Sequence, residues 1–233
     1  TGSFSGTING TGGYIKDSTG TQTLSGANTY SGGTSVGGGK LLLGSGGSLA
    51  VTAVTVGAGT FGVAQNASGT TNAHGGSLTM NSGSALTMGD TFTSTLNVAG
   101  AANLYAGTAG TAPSYTFDIS GTNGVNDTLA IGGVANLTNA GAKISINALG
   151  ALTVGNTYTL VTGGAGSSLA TNGLSLSTAS AVRVVGGGNA YSVSLANTAT
   201  TSILTVNSNS GAAALYWSGS QNAVWNTSNA GPV

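Results

Sequence analysis

The stretch that decides the fold is "LSGANTYSGGTSVGGGKLLLGSGGSLAVTAVTV", which runs from Leu24 to Val56. It contains nine glycines and a single charged residue, Lys40. Short apolar bursts such as "KLLL" and "AVTV" stand between the glycines. Brief runs of aliphatic and β-branched residues that are separated by turn residues are typical of β-strands. The stretch therefore predicts several very short strands joined by tight corners.

The same pattern of short apolar runs between turn residues extends along the whole sequence, and helical periodicity is nearly absent. The phrase "GG-x-L" recurs in "GGKLLL", "GGSLAV" and "GGSLTM", and imperfect repetition of this kind is typical of a solenoid. We predict an all-β fold, a parallel β-helix of about ten short-stranded coils, with glycines at the corners. Further strands are predicted at Lys40–Leu43, Ala53–Val56, Ser77–Met80, Leu86–Met88, Thr95–Val98, Tyr115–Ile119, Thr128–Ile131, Lys143–Asn147, Thr157–Val161, Ala181–Val185, Tyr191–Leu195 and Ile203–Val206.

The charge content narrows the possible partners. The 233 residues carry four basic and four acidic side chains, with a formal net charge of zero. Binding of nucleic acid or of an anionic membrane surface needs a basic patch, so neither partner is expected. No run approaches the roughly 18 apolar residues of a membrane helix, so no transmembrane segment is expected. A neutral surface permits self-association, and it is equally consistent with a surface that hydroxyls and amides solvate.

The residues from Gly6 to Gly47 resemble the autotransporter-associated β-strand repeat, also called the passenger-associated transport repeat. The resemblance is dense in "LSGANTYSGGTSV", from Leu24 to Val36, and Lys16 falls at the lysine of the family pattern. Tyr14 stands where leucine is usual, and Lys40 where threonine is usual.

Two later segments, Ser114–Ile146 and Val154–Gly163, resemble strands that follow this repeat in bacterial passenger proteins. The resemblance implies a right-handed parallel β-helix, located on a bacterial surface or secreted, and it implies no enzymatic activity. It also implies that Asp127 is structural, since the family has an aspartate at this position that can cap turn amides.

Few residues could carry chemistry. His74 is the only histidine, and we expect it to be a turn residue before two glycines. Asp118 and Asp127, with Asn123 and Asn126, could offer oxygens to Ca²⁺, but the spacing does not fit an EF-hand and a structural role is favoured. The four aspartates are too dispersed for a polysaccharide-cleaving site. We expect no catalytic residues, no cofactor and no metal.

The ends of the solenoid are the predicted interface. "FSGTI" at the N-terminus predicts a strand without a cap, and the C-terminal strand is followed only by a tail that holds both tryptophans. We predict one solenoid domain over residues 1–212 and a tail, or the start of a following module, over residues 213–233. The predicted subunit or module interface consists of Phe4, Ile8, Tyr216, Trp217 and Trp225.

These observations lead to two hypotheses of function. In the first, the chain is a structural protein outside the cell, a fibre, stalk or surface layer whose copies or modules stack end to end through unpaired strand edges. In the alternative, it is an adhesin passenger that binds a host or polysaccharide ligand through aromatic side chains on a lateral face. An enzyme is disfavoured.

Overall fold

The structure is a computed structural model and describes residues 1–50, 52–177, 182–186 and 188–212; for 182–186 and 212 it describes the backbone alone. These residues form twenty-three strands joined by turns and bends, and none of them lies in a helix that could span a membrane. The strands are β1 Gly2–Phe4, β2 Tyr14–Lys16, β3 Thr21–Leu24, β4 Ala27–Asn28, β5 Thr34–Val36, β6 Lys40–Gly44, β7 Ser48–Leu49, β8 Val54–Val56, β9 Thr60–Ala64, β10 Thr70–His74, β11 Leu78–Asn81, β12 Ala85–Thr87, β13 Ser94–Val98, β14 Ala102–Ala106, β15 Ser114–Ile119, β16 Thr128–Ile131, β17 Ala135–Asn136, β18 Lys143–Ala148, β19 Thr157–Thr162, β20 Ser175–Leu176, β21 Val182–Gly186, β22 Asn189–Asn197 and β23 Thr201–Ala212.

The strands stack into three sheets that wrap one core. Sheet A contains eight parallel strands in the order β1-β3-β6-β9-β12-β15-β18-β20. Sheet B contains six in the order β2-β5-β8-β11-β14-β17, and sheet C begins with β4-β7-β10-β13-β16-β19. The chain visits A, then C, then B in each complete coil and pairs with the coil above and below. The predicted all-β parallel β-helix is confirmed.

The coils become longer along the chain, so there are fewer of them than predicted. Gly2 pairs with Gln22, twenty residues later, whereas Lys143 pairs with Ser175, thirty-two residues later. In the part of the chain that the structure describes, sheet A therefore has eight rungs, and the expected count of about ten coils was wrong. The extra residues form loops at the corners, which the strand pattern alone did not reveal.

Inward side chains of equivalent strands stack in ladders that form the core. In sheet A one such ladder consists of five residues in register, all at most 1% exposed: Leu41, Phe61, Leu86, Tyr115 and Ile144. Strands in a sheet are about 4.8 Å apart, so each side chain contacts the one above and the one below. Burying such side chains stabilises the fold by about 1.5–3 kcal/mol each.

Glycine lines the corner between sheets C and B because the backbones of neighbouring coils approach closely there. Gly100 donates its N–H to the carbonyl of Gly76 at 3.1 Å, and Gly133 donates to Gly100 at 3.1 Å. Gly164 continues the series by donating to Gly133 at 2.8 Å. A Cβ on Gly76 would lie 1.8 Å from the carbonyl oxygen of Thr52. We call Gly76, Gly100, Gly133 and Gly164 the glycine ladder.

The C-terminal end of the solenoid does not continue the parallel stack. Strand β23 pairs antiparallel with β19, β22 with β23, and β21 with β22, and these three strands extend sheet C as a meander. Strand β21 also lies against β18 of sheet A. Tyr191 and Leu204 of the meander are buried in the common core. Among the described residues, the meander thus extends sheet C, whereas β17 and β20 end sheets B and A with one strand neighbour each.

Candidate functional site

Interfaces were predicted at both ends of the solenoid, and the N-terminal one lies among the residues that the structure describes. Strands β1 and β2 each have one neighbour, β3 and β5 respectively, and lie at the ends of sheets A and B. The carbonyl of Phe4 accepts the N–H of Ser25 at 2.9 Å, so Ser3, one residue earlier, directs its backbone groups away from β3. Among the described residues, no second strand pairs with β1.

The same geometry places Ile15 at the centre of the open edge of β2. Tyr14 donates its N–H to Gly33 at 2.9 Å, and Lys16 accepts the N–H of Gly37 at 2.9 Å. Both flanking residues thus direct their backbone groups toward β5, and Ile15 directs its N–H and C=O outward. An apolar strand residue with outward backbone groups is a site for pairing with another strand.

Apolar side chains accompany these open edges. Phe4 is 43% exposed and Ile15 is 70% exposed. Ile8 is only partly buried and packs against the core, and its N–H donates to the side chain of Asn28 at 3.0 Å. Phe4 and Ile8 were predicted as interface residues because they bound the strand expected at "FSGTI"; in the structure, β1 ends at Phe4. Ile15 was not predicted, because its short strand resembles several buried ones in sequence.

Polar groups border a shallow cleft of ≈ 340 Å³ between β1 and β2. The ammonium of Lys16 lines it and is bound within the chain, to the carbonyls of Ser18 and, at 3.3 Å, Gly38. The side chain of Lys16 is only 6% exposed, while Asp17 is exposed beside it. The ammonium of Lys16, the one basic side chain at this end of the described chain, therefore forms its hydrogen bonds with carbonyls of the corner.

The remaining predicted interface residues, Tyr216, Trp217 and Trp225, lie outside the described residues. The tail predicted over 213–233 lies outside them as well.

Three aspartates bind the loops at the corner between sheets A and C. Asp118 is buried, and its carboxylate accepts the N–H of Thr91 at 2.7 Å and the side-chain amide of Asn147 at 2.7 Å. Asp90, one coil earlier, accepts the N–H of Gln65 at 2.5 Å. The carboxylates thus tie successive coils together. Thr91 has φ of 75°, which is a strained conformation for a β-branched residue, and its bond to Asp118 holds it there.

Asp127 is the most deeply enclosed carboxyl of this corner. It accepts backbone N–H groups from Ser94 and Asp118, each at 2.7 Å, and it is fully buried. This confirms the predicted role in capping backbone amides. Burial raises the pKa of Asp127 to about 8, although the backbone bonds and the Ser94 hydroxyl oppose the shift. Burial also raises the pKa of Asp90 and of Asp118.

The asparagines of the corner loop also form hydrogen bonds with backbone groups. Asn123 accepts the N–H of Thr157 at 2.7 Å, and Asn126 donates to the carbonyl of Thr159 at 2.8 Å. Within the described ranges, no group of three His, Asp or Glu side chains converges in a way that could hold a metal ion.

His74 is a buried strand residue, where the sequence predicted a turn residue before two glycines. It ends strand β10, is fully buried, and lies in register with Leu49 and Val98. Its Nε2 lies 2.9 Å from the carbonyl oxygen of Ser77, and its ring meets Phe61 edge-on with the centroids 6.5 Å apart. Burial lowers the pKa of His74. The imidazole fills a core position that aliphatic side chains occupy in the neighbouring coils.

Most of the tyrosines that the structure describes lie in the core and not on the lateral face. Five tyrosines are buried, namely Tyr30, Tyr105, Tyr115, Tyr158 and Tyr191. The hydroxyl of Tyr30 bonds that of Thr34 at 2.5 Å, in line with the structural role expected for it. Among the described residues, Phe4 is the one aromatic side chain in the exposed class, and it lies at the end of the solenoid.

Comparison with known proteins supports the resemblance on which the sequence analysis relied. No curated protein matches the chain. The family model of the passenger-associated-transport-repeat matches residues 15–43, from β2 to β6, which is the first complete coil and the beginning of the next. This stretch includes the open edge of β2 and the glycine-rich phrase that predicted the solenoid. At residues 15–43, the chain is thus similar to the passenger-associated-transport-repeat, as its motif indicated.

Proposed function

We propose that the chain is a non-catalytic structural β-solenoid of the autotransporter passenger type, secreted or displayed on a bacterial surface, where it forms a fibre, stalk or surface layer. The single observation that carries the proposal is the uninterrupted parallel stack itself. Eight rungs of sheet A at about 4.8 Å spacing give a column about 34 Å long before the meander begins. The match of residues 15–43 to a passenger repeat supports the same reading.

The lateral surface supports a structural role. With four basic and four acidic residues in 233, copies that lie side by side or end to end meet little electrostatic repulsion. Six of the described buried polar side chains bond backbone groups of a neighbouring coil, namely Lys16, Asn28, Asn72, Asp118, Asp127 and Ser167. The side chains that could do chemistry therefore hold the solenoid together.

End-to-end contact is proposed to use the strands that end each sheet. Head-to-tail stacking through parallel strand pairing needs a free parallel edge at both ends. In the described residues, β1 and β2 end sheets A and B on one side and β20 and β17 end them on the other, each with one strand neighbour. The antiparallel meander extends sheet C alone.

The adhesin hypothesis receives less support. That hypothesis requires aromatic side chains on a lateral face, and five of the described tyrosines are buried in the core. A polysaccharide or a host surface as partner remains the alternative that the experiment must distinguish.

The proposal is tested by locating the chain and by imaging it. Antibody against the purified chain should label intact producing bacteria, or should detect the chain in the medium, and negative-stain electron microscopy should show uniform columns or chains of columns. Detection inside the cells alone would refute the proposal. Saturable binding on a glycan array, with no assembly at rising concentration, would favour the adhesin.

A further inference from the structure

Thr91 has an unusual backbone conformation for its residue type. Among the described residues other than glycine, Thr91 and Asn172 have a positive φ, of 75° and 54°. Asparagine adopts this conformation readily, whereas a β-branched residue adopts it only under strain. Such strain persists only where the surrounding structure holds it, and it is concentrated at functional sites. The peptide bond between Asp90 and Thr91 is therefore the place to look for chemistry.

We propose that the hydroxyl of Thr91 cleaves the peptide bond that precedes it, so that the chain divides itself between Asp90 and Thr91. The Oγ atom attacks the carbonyl carbon of Asp90 and forms an ester bond, while the C–N bond breaks and the hydroxyl proton goes to the nitrogen of Thr91. Water then hydrolyses the ester, which gives a new carboxyl terminus at Asp90 and restores the hydroxyl of Thr91. The step consumes no oxidant, reductant or cofactor.

The Thr91 hydroxyl is placed for this attack and for the hydrolysis that follows. A threonine Oγ reaches the preceding carbonyl carbon through a small ring within the same dipeptide, so the reaction needs no movement of another element. Thr91 is exposed, in the bend between β12 and β13, so water reaches the ester. Cleavage frees the nitrogen of Thr91 from the preceding carbonyl and releases the strain at φ. The strain thus favours the forward reaction.

The carboxylates around this bend favour the product. The buried carboxylate of Asp118 accepts the N–H groups of Asp90 at 3.0 Å and of Thr91 at 2.7 Å. Asp90 accepts the N–H groups of Gln65 and Phe92. All these partners are neutral amides, whereas an adjacent cation stabilises a buried carboxylate more strongly. Cleavage creates such a cation, the ammonium of Thr91, at the atom that Asp118 already contacts, so Asp118 is a positioning residue that stabilises the product.

The cut leaves the solenoid whole, so the inference goes beyond the proposed function without altering it. The strands before the cleaved bond pair with those after it, β10 with β13, β11 with β14 and β12 with β15. The two pieces, residues 1–90 and 91–233, therefore stay in one column until it is denatured. Each chain reacts once and acts on no other protein.

Incubation of the purified chain over several days tests the inference. Denaturing electrophoresis and mass spectrometry should show two fragments, residues 1–90 and 91–233. They should form at a rate that depends neither on protein concentration nor on protease inhibitors. Hydroxylamine, which attacks esters, should accelerate cleavage and leave a hydroxamate at Asp90. Sedimentation under native conditions should show no change of mass.

Substitutions at Thr91 separate the hydroxyl from the backbone strain. Thr91→Val keeps the β-branched shape and should abolish cleavage, whereas Thr91→Ser should retain it. Thr108→Val is the matched control, because Thr108 is an exposed threonine of another bend, and this variant should be cleaved like the unsubstituted chain. Asp118→Asn keeps an acceptor for the N–H of Thr91 but loses the charge. It should slow cleavage, and hydroxylamine should restore the rate, which a merely disrupted fold would not show.

Circular dichroism establishes that each variant is folded before cleavage is compared. A folded chain that stays intact, or that is cut only at other bonds, would overturn the inference. Cleavage of Thr91→Val as fast as that of Thr108→Val would overturn it as well. Undiminished cleavage of Asp118→Asn would overturn the role of that carboxylate. The proposed function stands or falls separately, on surface labelling and imaging.

Discussion

A methyl group on Gly76 should break the corner between sheets C and B. In the structure, a Cβ at this position would lie 1.8 Å from the carbonyl oxygen of Thr52 and 2.3 Å from its carbonyl carbon. Real Cβ atoms do not approach within 3.0 Å of such atoms. Gly76→Ala therefore forces the two coils apart by about 1.2 Å at this point, and backbone atoms cannot move aside as a flexible side chain would.

The cost follows from the bonds that this displacement breaks. Between these two coils, Gly75 donates to the carbonyl of Leu49 at 3.0 Å and Val54 donates to the carbonyl of Ser77 at 2.8 Å, and neither bond survives a lengthening of more than 1 Å. Two lost hydrogen bonds cost about 2 kcal/mol, and overpacking adds about 1–3 kcal/mol. The lower entropy of the unfolded alanine chain offsets about 0.4–1 kcal/mol. Gly76→Ala should thus lower the free energy of unfolding by about 2–4 kcal/mol.

Urea unfolding followed by circular dichroism measures this change. Gly150→Ala is the matched control, since a Cβ there has no atom within 4 Å and the residue lacks a positive φ. The control should be neutral or slightly stabilising. Amide hydrogen exchange at Gly75 and Val54 should accelerate in Gly76→Ala only. Equal stability of Gly76→Ala and the unsubstituted chain, or an equal loss in Gly150→Ala, would refute the close-approach explanation for the glycine ladder.

Three further predictions concern buried polar groups. The pKa of Asp127 is about 8 in the folded protein against 3.8 in the unfolded chain, so the free energy of unfolding should fall as pH rises from about 4 to about 8, by at most about 1.4 kcal/mol per pH unit. Asp127→Asn should flatten this pH dependence in thermal melts, and an unchanged slope would contradict the prediction. Because burial lowers the pKa of His74, the folded protein should lose stability as pH falls below 6.5. His74→Leu places an aliphatic side chain in register with Leu49 and Val98 and should abolish that loss. If the loss of stability at acid pH persists in the variant, another group causes it. Asn28→Ala removes the side-chain partners of the Ile8 N–H and the Ser48 carbonyl, in the coils on either side, and should cost about 2–4 kcal/mol, with faster amide exchange at Ile8. Asn103→Ala, at a more exposed position, should cost under 1 kcal/mol; similar losses in both would show that the Asn28 bonds do not hold the first coil.

Local pattern was enough to place many strands. Thr128–Ile131 is observed as predicted, and Lys143–Asn147 and Thr157–Val161 are each one residue longer in the structure. The alternation of inward and outward side chains is a local property of an extended chain, so it can be read from a few consecutive residues. Strands of two residues, such as Ser48–Leu49, carry too little pattern and were missed.

The candidate site was only half visible in the sequence. Phe4 and Ile8 belong to a stretch that already predicted an unpaired strand, whereas Ile15 does not differ in type from the inward Ile144. Its side chain has the outward position of the strand, in register with Ser35 and Thr55, which are exposed as well, so its exposure follows from register. The burial of His74 is likewise a consequence of its register with Leu49 and Val98.

By itself, the sequence determined the class of fold, the repeat family that it resembles, and the near absence of charge, because composition and local alternation are sufficient for each. Only the tertiary structure decided the lengths of the coils, the antiparallel meander, the glycine ladder and the location of the open edge. These features depend on which strand pairs with which, across separations of nineteen to thirty-two residues in the parallel coils of sheet A. Pairing over such distances is set by the fit of whole coils against one another, and no short window of residues contains that information.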